Sequence, residues 1–398
     1  MNKILKKLTA LLLTVFFVLQ PFALKAQAAK YENITDLGLS TKSAILMEAS
    51  TGTVLYEQNA DEKLPPASIT KVMTLLLIYE AVRDGKINWD DKVTVSEHAA
   101  SMGGSQVYLE VGETQTAADM TKCIAIASAN DAAVAMAEYI GGSEEGFVDL
   151  MNTRAKELGM ENTVFVNACG LDADGHLTTA RDIALMSKEL IYNFPEIEQY
   201  TTTWQDTINH TTKRGTSEFG LTNTNKLVRW YEGTTGLKTG STGNAKYCLS
   251  ATANKNGMSL IAVIMAAPDN KSRFSEAIKL LDYGYANYTV LTGAKAGENV
   301  GEIPVSRGEH ETALLEVSKD VTALMKKGGE EPVLTYELTD VLCAPFEKGT
   351  KAGEAVYTLG GEVVARVDVV TSENVGRASL GTVTKRLLRD WSRGCEVN

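Results

Sequence analysis

The feature that most constrains the fold is residues 69–83, a segment that is apolar around nearly the whole circumference of a helix. A helix that is hydrophobic on every side cannot face water and is buried inside a sizeable domain. The sequence Pro65-Pro66-Ala67-Ser68 directly precedes it, and the two prolines mark the point where the helix can start. A chain of 398 residues is long enough to enclose such a helix in a core. Its apolar residues are Ile69, Val72, Met73, Leu75, Leu76, Leu77 and Ile78.

Strand-like segments lie on both sides of this helix, with further helical segments between them. Residues 43–58 read as two strands joined at a turn, and the Asn256-Gly257 pair is typical of a tight hairpin between two later strands. Antiparallel strands from both ends of a helix-rich region predict an α/β sandwich of antiparallel sheet and helices. The later predicted strands are 237–239, 247–253 and 260–266, and the predicted helices are 117–140, 144–159, 179–192 and 272–288.

The composition changes near Gly293–Gly297. Short segments of alternating polar and apolar residues follow at 312–317, 333–338 and 354–370, and the last contains a Gly-Gly hairpin turn. We therefore expect a small all-β domain over residues 297–377.

The first 28 residues have the pattern of a secretory signal peptide. A start with three lysines is followed by the apolar segment 8–19 and by small residues at Ala26–Ala28. A retained membrane helix is the alternative, but the apolar segment is short for a span and Pro21 interrupts it. We predict export and removal of residues 1–28, which places the protein outside the cytoplasm.

Residues 379–398 form an amphipathic tail. Its apolar residues lie near one face of a predicted helix, and basic residues surround the rest. That pattern fits a helix lying in a membrane surface, and a terminal helix packed on the β domain is the alternative. The apolar residues are Leu380, Val383, Leu387, Leu388 and Trp391.

Charge and residue spacing exclude several functions. The formal net charge of -11 speaks against nucleic acid as a partner, because phosphate binding needs clustered lysines and arginines. The five cysteines and four histidines have no spacing typical of a metal site. We expect neither a metal nor a cofactor.

Ser68 and Lys71 form the first candidate for chemistry. Residues three positions apart share one face of a helix, so the amine of Lys71 can reach the hydroxyl of Ser68. A hydroxyl needs an adjacent base to act as a nucleophile. A buried lysine can be that base, since burial disfavours its charged form.

Two further triplets turn this weak motif into a strong one. Ser128-Ala-Asn130 lies in an apolar helical segment, where two polar residues indicate a functional role. Lys238-Thr-Gly240 begins a strand. Ser372-Glu-Asn374 has the same form as the first triplet, but its position within the β domain excludes it.

In this order the three motifs closely resemble those of the low-molecular-weight penicillin-binding proteins, the serine-type D-alanyl-D-alanine carboxypeptidases of peptidase family S11. The likeness extends to Pro66–Thr74, Ser128–Ala133, Gly170–Gly175 and Thr179–Asp182. It implies a β-lactamase/DD-peptidase-like catalytic domain over residues 30–292, followed by the small β domain.

The resemblance also implies a reaction and a role for each site residue. The enzyme would hydrolyse the terminal D-alanine from the peptidoglycan stem pentapeptide through an acyl-enzyme, and β-lactam antibiotics would trap it. Ser68 would be the nucleophile, Lys71 the general base and Ser128 a proton relay. The backbone N–H groups of Ser68 and Ser241 would form the oxyanion hole. The substrate would be held by Asn130, Lys238, Thr239, Gly240, Ser241 and Arg273.

Two other functions stay open at this point. A class A β-lactamase needs a glutamate that activates the deacylating water, and no Glu-x-x-Leu-Asn sequence lies between Asn130 and Lys238. A non-catalytic cell-wall-binding protein of the same fold is the second alternative, and the intact triplets argue against it. Cys169, where some relatives have histidine, is expected to be structural and not a thiol nucleophile.

Overall fold

The computed structural model describes residues 36–393. In chain order its strands are β1 Ser43–Glu48, β2 Val54–Gln58, β3 Lys92–Thr94, β4 Thr114–Thr116, β5 Gln205–Thr212, β6 Gly215–Thr222, β7 Thr234–Thr242, β8 Lys246–Lys255, β9 Met258–Ala267, β10 Tyr288–Thr292, β11 Asn299–Ser306, β12 Thr312–Val317, β13 Thr322–Lys326, β14 Val333–Leu338, β15 Leu342–Cys343, β16 Lys351–Leu359 and β17 Glu362–Thr371.

The α-helices of the same residues are α1 Lys71–Arg83, α2 Glu97–Ala100, α3 Ala117–Lys122, α4 Asn130–Gly141, α5 Glu144–Glu157, α6 Ala180–Asn193, α7 Glu198–Thr201, α8 Leu227–Trp230, α9 Asn270–Asn287 and α10 Leu380–Arg393. A 3₁₀ turn, Ala67–Thr70, leads into α1, and a second one covers Pro195–Ile197. A π-helical turn, Cys123–Ala127, follows α3.

A five-stranded antiparallel sheet of order β2-β1-β9-β8-β7 lies at the centre of the first domain. Successive residues of a strand point to opposite faces, so β1 contributes to two cores. Ile45 and Met47 pack among most of the helices, whereas Ala44 and Leu46 pack with residues of α9. Helices therefore cover both faces of the sheet, which confirms the predicted sandwich.

The first core encloses α1, as the apolar sequence predicts. Every residue from Lys71 to Tyr79 is buried. Apolar side chains on all sides make the helix stable only inside the domain. They also surround one lysine with a medium of low polarity, and this sets the chemistry of the site.

The helix predicted over residues 117–140 is wrong in one respect, because it is interrupted near its middle. The α-helix ends at Lys122, and α4 begins only at Asn130. Between them Ser128 adopts φ 62° and ψ 31°, the left-handed region that residues other than glycine rarely occupy. The apolar pattern continues through this point and gives no sign of the interruption. Such strained backbone is found mainly at functional sites.

The second domain is built on a six-stranded sheet of order β14-β16-β17-β12-β11-β15. Its neighbours are antiparallel except the parallel pair β11–β15. The two-stranded ribbon β10–β13 connects the domains, since Leu324 packs in the core with α9 and Ala323 packs in the β-domain core. A small all-β domain thus follows the sandwich, as predicted.

The last described helix, α10, is amphipathic and contacts the β domain through its basic side. The guanidinium of Arg386 donates to the carbonyl oxygens of Gly308 and Glu309, and that of Arg389 donates to Glu311. The apolar side faces solvent: Leu380 is 87% and Trp391 75% exposed.

Within residues 36–393, no helix is both long enough and apolar enough to cross a membrane. The predicted signal peptide, residues 1–28, lies outside the described residues, and so do residues 394–398.

Candidate active site

Ser68 lies in the 3₁₀ turn directly before α1, where the two prolines predict the start of the helix. The preceding Ala67 adopts φ 48°, so that, like Ser128, it is a residue other than glycine in the left-handed region. Ser68 therefore follows a strained residue and opens a buried helix, whose N-terminus favours negative charge close to the hydroxyl.

Two glycines let other segments press against this turn. A Cβ added to Gly240 of β7 would lie 2.9 Å from the backbone N of Ser68. One added to Gly170 would lie 1.9 Å from the carbonyl oxygen of Ala67. Only residues without a side chain permit these approaches, so Ser68 is fixed between β7 and the loop that contains Gly170.

Lys71 is fully buried, and its ammonium is held by three acceptors. The Nζ atom lies 3.1 Å from Ser68 Oγ, 2.6 Å from Asn130 Oδ1 and 2.6 Å from the carbonyl oxygen of Cys169. None of these partners is a carboxylate. Burial therefore lowers the pKa of Lys71 from its ordinary value of 10.5 to about 8, although the Cys169 thiol and Asp131 act in the opposite direction.

The Ser128-Ala-Asn130 triplet lies beside this pair because the chain turns at Ser128. Asn130 uses both ends of its amide: Oδ1 accepts from Lys71, and Nδ2 donates to the carbonyl oxygen of Gly103 at 2.6 Å. Its backbone N donates to the carbonyl oxygen of Ser105 at 2.7 Å. Asn130 thus orients the lysine and ties it to the loop that contains residues 103–105.

The Lys238-Thr-Gly240 triplet lies on β7, the edge strand next to the Ser68 turn. Lys238 is 1% exposed, and its Nζ donates to the carbonyl oxygen of Thr239 at 3.1 Å. Burial, and then the positive charges of Lys71 and Arg273, hold the pKa of Lys238 well below its ordinary value. A carboxylate bound at this position would restore the charge of the amine.

Arg273 lies in the first turn of α9 and contacts the same strand. Its Nη1 donates to the carbonyl oxygen of Gly240 at 3.1 Å. The guanidinium lies over the rings of Phe274 and Tyr247, with its central carbon 4.8 Å and 5.6 Å from their centroids. Its Nε has no hydrogen-bond partner among the described residues. The arginine is therefore placed at the Lys-Thr-Gly strand with its Nε donor unpaired among the described residues.

The sequence-predicted residues are brought together to different degrees. Ser68, Lys71 and Asn130 share one hydrogen-bond network, and Gly240 lies directly against it. The hydroxyl of Ser128 makes no hydrogen bond to Ser68 or Lys71 within residues 36–393. Ser241 is exposed beside them on β7.

Two groups of the site could not be predicted from the sequence. One is the carbonyl of Cys169, because a backbone acceptor has no residue signature, and the adjacent Gly170 is the one hint of a close approach. The other is Thr224, whose hydroxyl accepts from Thr239 Oγ1 at 2.7 Å. The thiol of Cys169 is buried, and burial raises its pKa.

His176, the histidine nearest to Cys169 in the sequence, does not serve as its base. Its Nε2 lies 2.9 Å from Thr70 Oγ1, and burial lowers its pKa to about 4. Both features fit a neutral core histidine. Across the part of the chain that the structure describes, no group of His, Cys, Asp and Glu could hold a metal ion.

Comparison with known proteins places the chain in one family. Residues 28–269 match the D-alanyl-D-alanine carboxypeptidase family of S11 peptidases, and residues 288–377 match the C-terminal domain of penicillin-binding protein 5.

Individual relatives agree with both assignments. The chain is 43% identical to the D-alanyl-D-alanine carboxypeptidase DacF of Bacillus subtilis over 98% of this chain and 100% of the relative. It is 35% identical to DacC of Escherichia coli over 89% and 88%. Its structure superposes on penicillin-binding protein 5 from Haemophilus influenzae with a TM-score of 0.72 and 32% identity, covering 87% of this chain and 100% of that one. The chain therefore belongs to the D-alanyl-D-alanine carboxypeptidase family of penicillin-binding proteins.

Proposed function

We propose that this chain is a serine-type D-Ala-D-Ala carboxypeptidase in which Ser68 removes the terminal D-alanine from the peptidoglycan stem pentapeptide. The observation that carries the proposal is the 3.1 Å contact between Lys71 Nζ and Ser68 Oγ in a buried site, where the amine has no carboxylate partner among residues 36–393. Membership of the carboxypeptidase family supports the choice of substrate over a β-lactam or a binding-only role.

Acylation follows from this pair. Ser68 Oγ attacks the carbonyl carbon of the penultimate D-alanine, and its proton passes to the uncharged amine of Lys71. The backbone N–H groups of Ser68 and Ser241 donate to the tetrahedral oxyanion. When that intermediate collapses, its C–N bond breaks and Ser128 relays the proton from Lys71 to the nitrogen of the departing D-alanine.

The part of the site along β7 would bind the terminal carboxylate of the substrate. Lys238, Thr239 and Arg273 line this part of the site, and the guanidinium is oriented by the carbonyl oxygen of Gly240. Burial holds the pKa of Lys238 well below its ordinary value, and a bound carboxylate would favour its charged form. A buried cation stabilises a carboxylate more than an exposed one does, because water screens it less. Peptides that lack the terminal carboxylate would therefore bind poorly.

Hydrolysis of the ester completes the cycle. Water attacks the carbonyl carbon of the acyl-enzyme, the bond to Ser68 Oγ breaks, and the hydroxyl regains its proton through Lys71. A β-lactam opens on the same oxygen, but its leaving group stays attached to the acyl group. It would therefore leave a long-lived penicilloyl ester on Ser68.

The substrate sets the compartment. Peptidoglycan lies outside the cytoplasmic membrane, so we place the protein there, exported by the signal peptide of residues 1–28. The catalytic domain would occupy residues 30–292 and the β domain residues 297–377. No nucleic acid partner is proposed for a chain of net charge -11.

The tail of residues 379–398 would hold the protein on the outer face of the cytoplasmic membrane. Support comes from α10, whose arginines contact the β domain while its apolar side chains face solvent. Deletion of residues 379–398 should release part of the protein from vesicles of phosphatidylglycerol and phosphatidylcholine. Val333→Ser, which removes a 60% exposed apolar residue from the β domain, is the control. Identical sedimentation of the deleted and full-length proteins would refute the anchor.

The proposed activity is tested by release of D-alanine from a peptide that ends in D-Ala-D-Ala. Wild type should release it, and Ser68→Ala should release none. Ser372→Ala, in the excluded Ser-x-Asn motif of the β domain, should behave as wild type. If wild type releases no D-alanine, the non-catalytic alternative is correct, and rapid turnover of penicillin instead would indicate a β-lactamase.

A further inference from the structure

The loop Asn167–Leu171 supplies one of the three acceptors that hold Lys71, although none of it is helix or strand. Its contribution is the carbonyl oxygen of Cys169, at 2.6 Å from Lys71 Nζ. This carbonyl can orient the amine only if its own peptide group is held in place. A catalytic group that moves by about 1 Å reacts much more slowly. The contacts that fix this peptide therefore also fix the lysine.

The side chain of Asn167 makes most of the contacts inside the loop. Its Oδ1 accepts from the backbone N of Gly170 at 2.6 Å, of Leu171 at 3.1 Å and of Cys169 at 3.3 Å. Its Nδ2 donates to the carbonyl oxygen of Leu171 at 2.9 Å. One amide thus binds the peptide groups on both sides of the Cys169 carbonyl, in the manner of an extended Asx turn.

Contacts from outside anchor the loop at its neighbouring residue. The backbone N of Ala168 donates to Glu144 Oε1 at 3.0 Å, and its carbonyl oxygen accepts from Thr74 Oγ1 at 2.6 Å. These two bonds fix Ala168 between α5 and α1. They leave the direction of the next carbonyl, that of Cys169, to the turn that Asn167 closes.

We propose that Asn167 is a positioning residue for Lys71, whose side-chain amide closes the loop and so aims the carbonyl of Cys169 at the lysine amine. The inference rests on the proposed function, in which Lys71 is the base. Among the described residues, the side chain of Asn167 makes no hydrogen bond to Ser68 or Lys71. Its effect on the reaction passes through the carbonyl of Cys169.

The neutrality of the amide matters as much as its geometry. The charged or titratable groups that face Lys71 are Lys238 on β7, Asp131 on α4 and the thiol of Cys169. A carboxylate at position 167 could still accept the three N–H groups. It would also add a negative charge at the atom that binds the peptide group of the Cys169 carbonyl, which in turn accepts from Lys71, and a negative charge there favours the ammonium form.

The two simplest substitutions therefore have different signatures. Asn167→Ala removes the closure and should slow acylation by penicillin at every pH, by roughly tenfold to 100-fold. Asn167→Asp keeps most of the closure. It should shift the alkaline rise of the acylation rate upward by about one pH unit, and it should approach the wild-type rate above that rise.

The experiment measures the rate of acylation by labelled penicillin for wild type and both variants of the full chain. The pH runs from about 6 to about 10, roughly two units on each side of the expected pKa of Lys71. Asn299→Asp is the matched control, since Asn299 Oδ1 accepts from the backbone N of Gly301 at 2.7 Å at the exposed start of β11 in the β domain. The pKa of Lys71 is followed in parallel by NMR of the labelled side chain. The control should change neither quantity.

The proposal is overturned if Asn167→Ala acylates like wild type, or if the Lys71 titration is the same in Asn167→Asp and wild type. Equal losses in both variants at all pH values would indicate a merely structural loop, and would also overturn it. Failure of the proposed function looks different: wild type itself would not acylate, while the NMR titration would still decide the role of Asn167.

Discussion

The lysines of the active site and a lysine of the β domain lie in opposite electrostatic surroundings. In the first domain, Lys71 and Lys238 are buried and have no carboxylate partner in the described part of the chain, and burial lowers both pKa values. In the β domain, Lys351 lies in solvent 2.6 Å from Asp368 and 2.7 Å from Glu354. Hydrogen bonds to those two carboxylates, that to Asp368 first, raise its pKa.

This difference separates reactive charges from solvated ones. A buried amine without a counter-charge can give up its proton near neutral pH, and the surrounding core keeps it oriented. An exposed ion pair stays charged, is screened by salt and contributes little to folding. Substitutions of similar size should therefore have very different effects in the two domains.

The largest effect is expected for the lysine that is the proposed base. Lys71→Ala should slow acylation by penicillin about 1000-fold, because the Ser68 hydroxyl loses its proton acceptor. Lys351→Ala removes a lysine from an ion pair in solvent and should acylate like wild type. Stopped-flow measurement of the two variants makes the comparison, with thermal melting to verify folding. Similar acylation rates for both variants would show that the buried lysine is no more important for the reaction than the exposed one.

A smaller loss is expected from a single methyl group on β7. Gly240→Ala places a Cβ 2.9 Å from the backbone N of Ser68, and a displacement of the nucleophile by about 1 Å should slow acylation about 100-fold. Gly220→Ala on β6 adds the same group where, apart from its chain neighbours, no described residue lies within 4 Å. The D-alanine release assay should separate the two. Equal activity would mean that the Ser68 turn tolerates movement.

The pH dependence of acylation should follow the deprotonation of Lys71. Below its pKa of about 8 the reactive uncharged amine decreases with falling pH, so the rate should drop by about tenfold per unit. Penicillin acylation across pH tests this, and Lys351→Ala should leave the profile unchanged. A rate independent of pH between about 6 and 9 would contradict an amine base.

The same lowered pKa affects stability in a defined direction. The unfolded lysine keeps its proton up to its ordinary pKa of 10.5, whereas the folded one releases it at about 8. Between these values the unfolded chain binds more protons, so this group makes the fold more stable as pH rises. Lys71→Met should remove that contribution, which urea unfolding at pH 8 and pH 10 can measure.

The smallest effect is expected for an arginine of the β domain. Arg366 pairs with Glu337 at 3.0 Å and Glu354 at 2.8 Å, in solvent. Arg366→Ala should leave acylation and the melting temperature unchanged within error, since exposed pairs contribute little. A clear loss of activity would mean that the β domain influences the site.

The sequence predicted those parts of the site that follow from local periodicity. Residues three positions apart on an apolar helix place Lys71 beside Ser68, and the asparagine-glycine turn places β8 against β9. Gly240 belonged to a recognised motif, and its contact with the Ser68 turn gives that motif a physical reason.

Other parts depend on tertiary structure and could not be predicted. The left-handed Ser128 interrupts an apolar pattern that continues unchanged, because the pattern reports burial and not backbone direction. The acceptor from residue 169 is a carbonyl oxygen that any amino acid would provide. The outward apolar side of α10 also needed the structure, since the composition of the helix fits either orientation.

The most direct test of the central claim is mass spectrometry of the penicillin-treated protein after proteolysis. We expect one penicilloyl group on the peptide that contains Ser68. This group should be lost in Ser68→Ala but not in Ser372→Ala. An adduct on any other peptide, or none at all, would contradict an amine-activated hydroxyl at the start of α1.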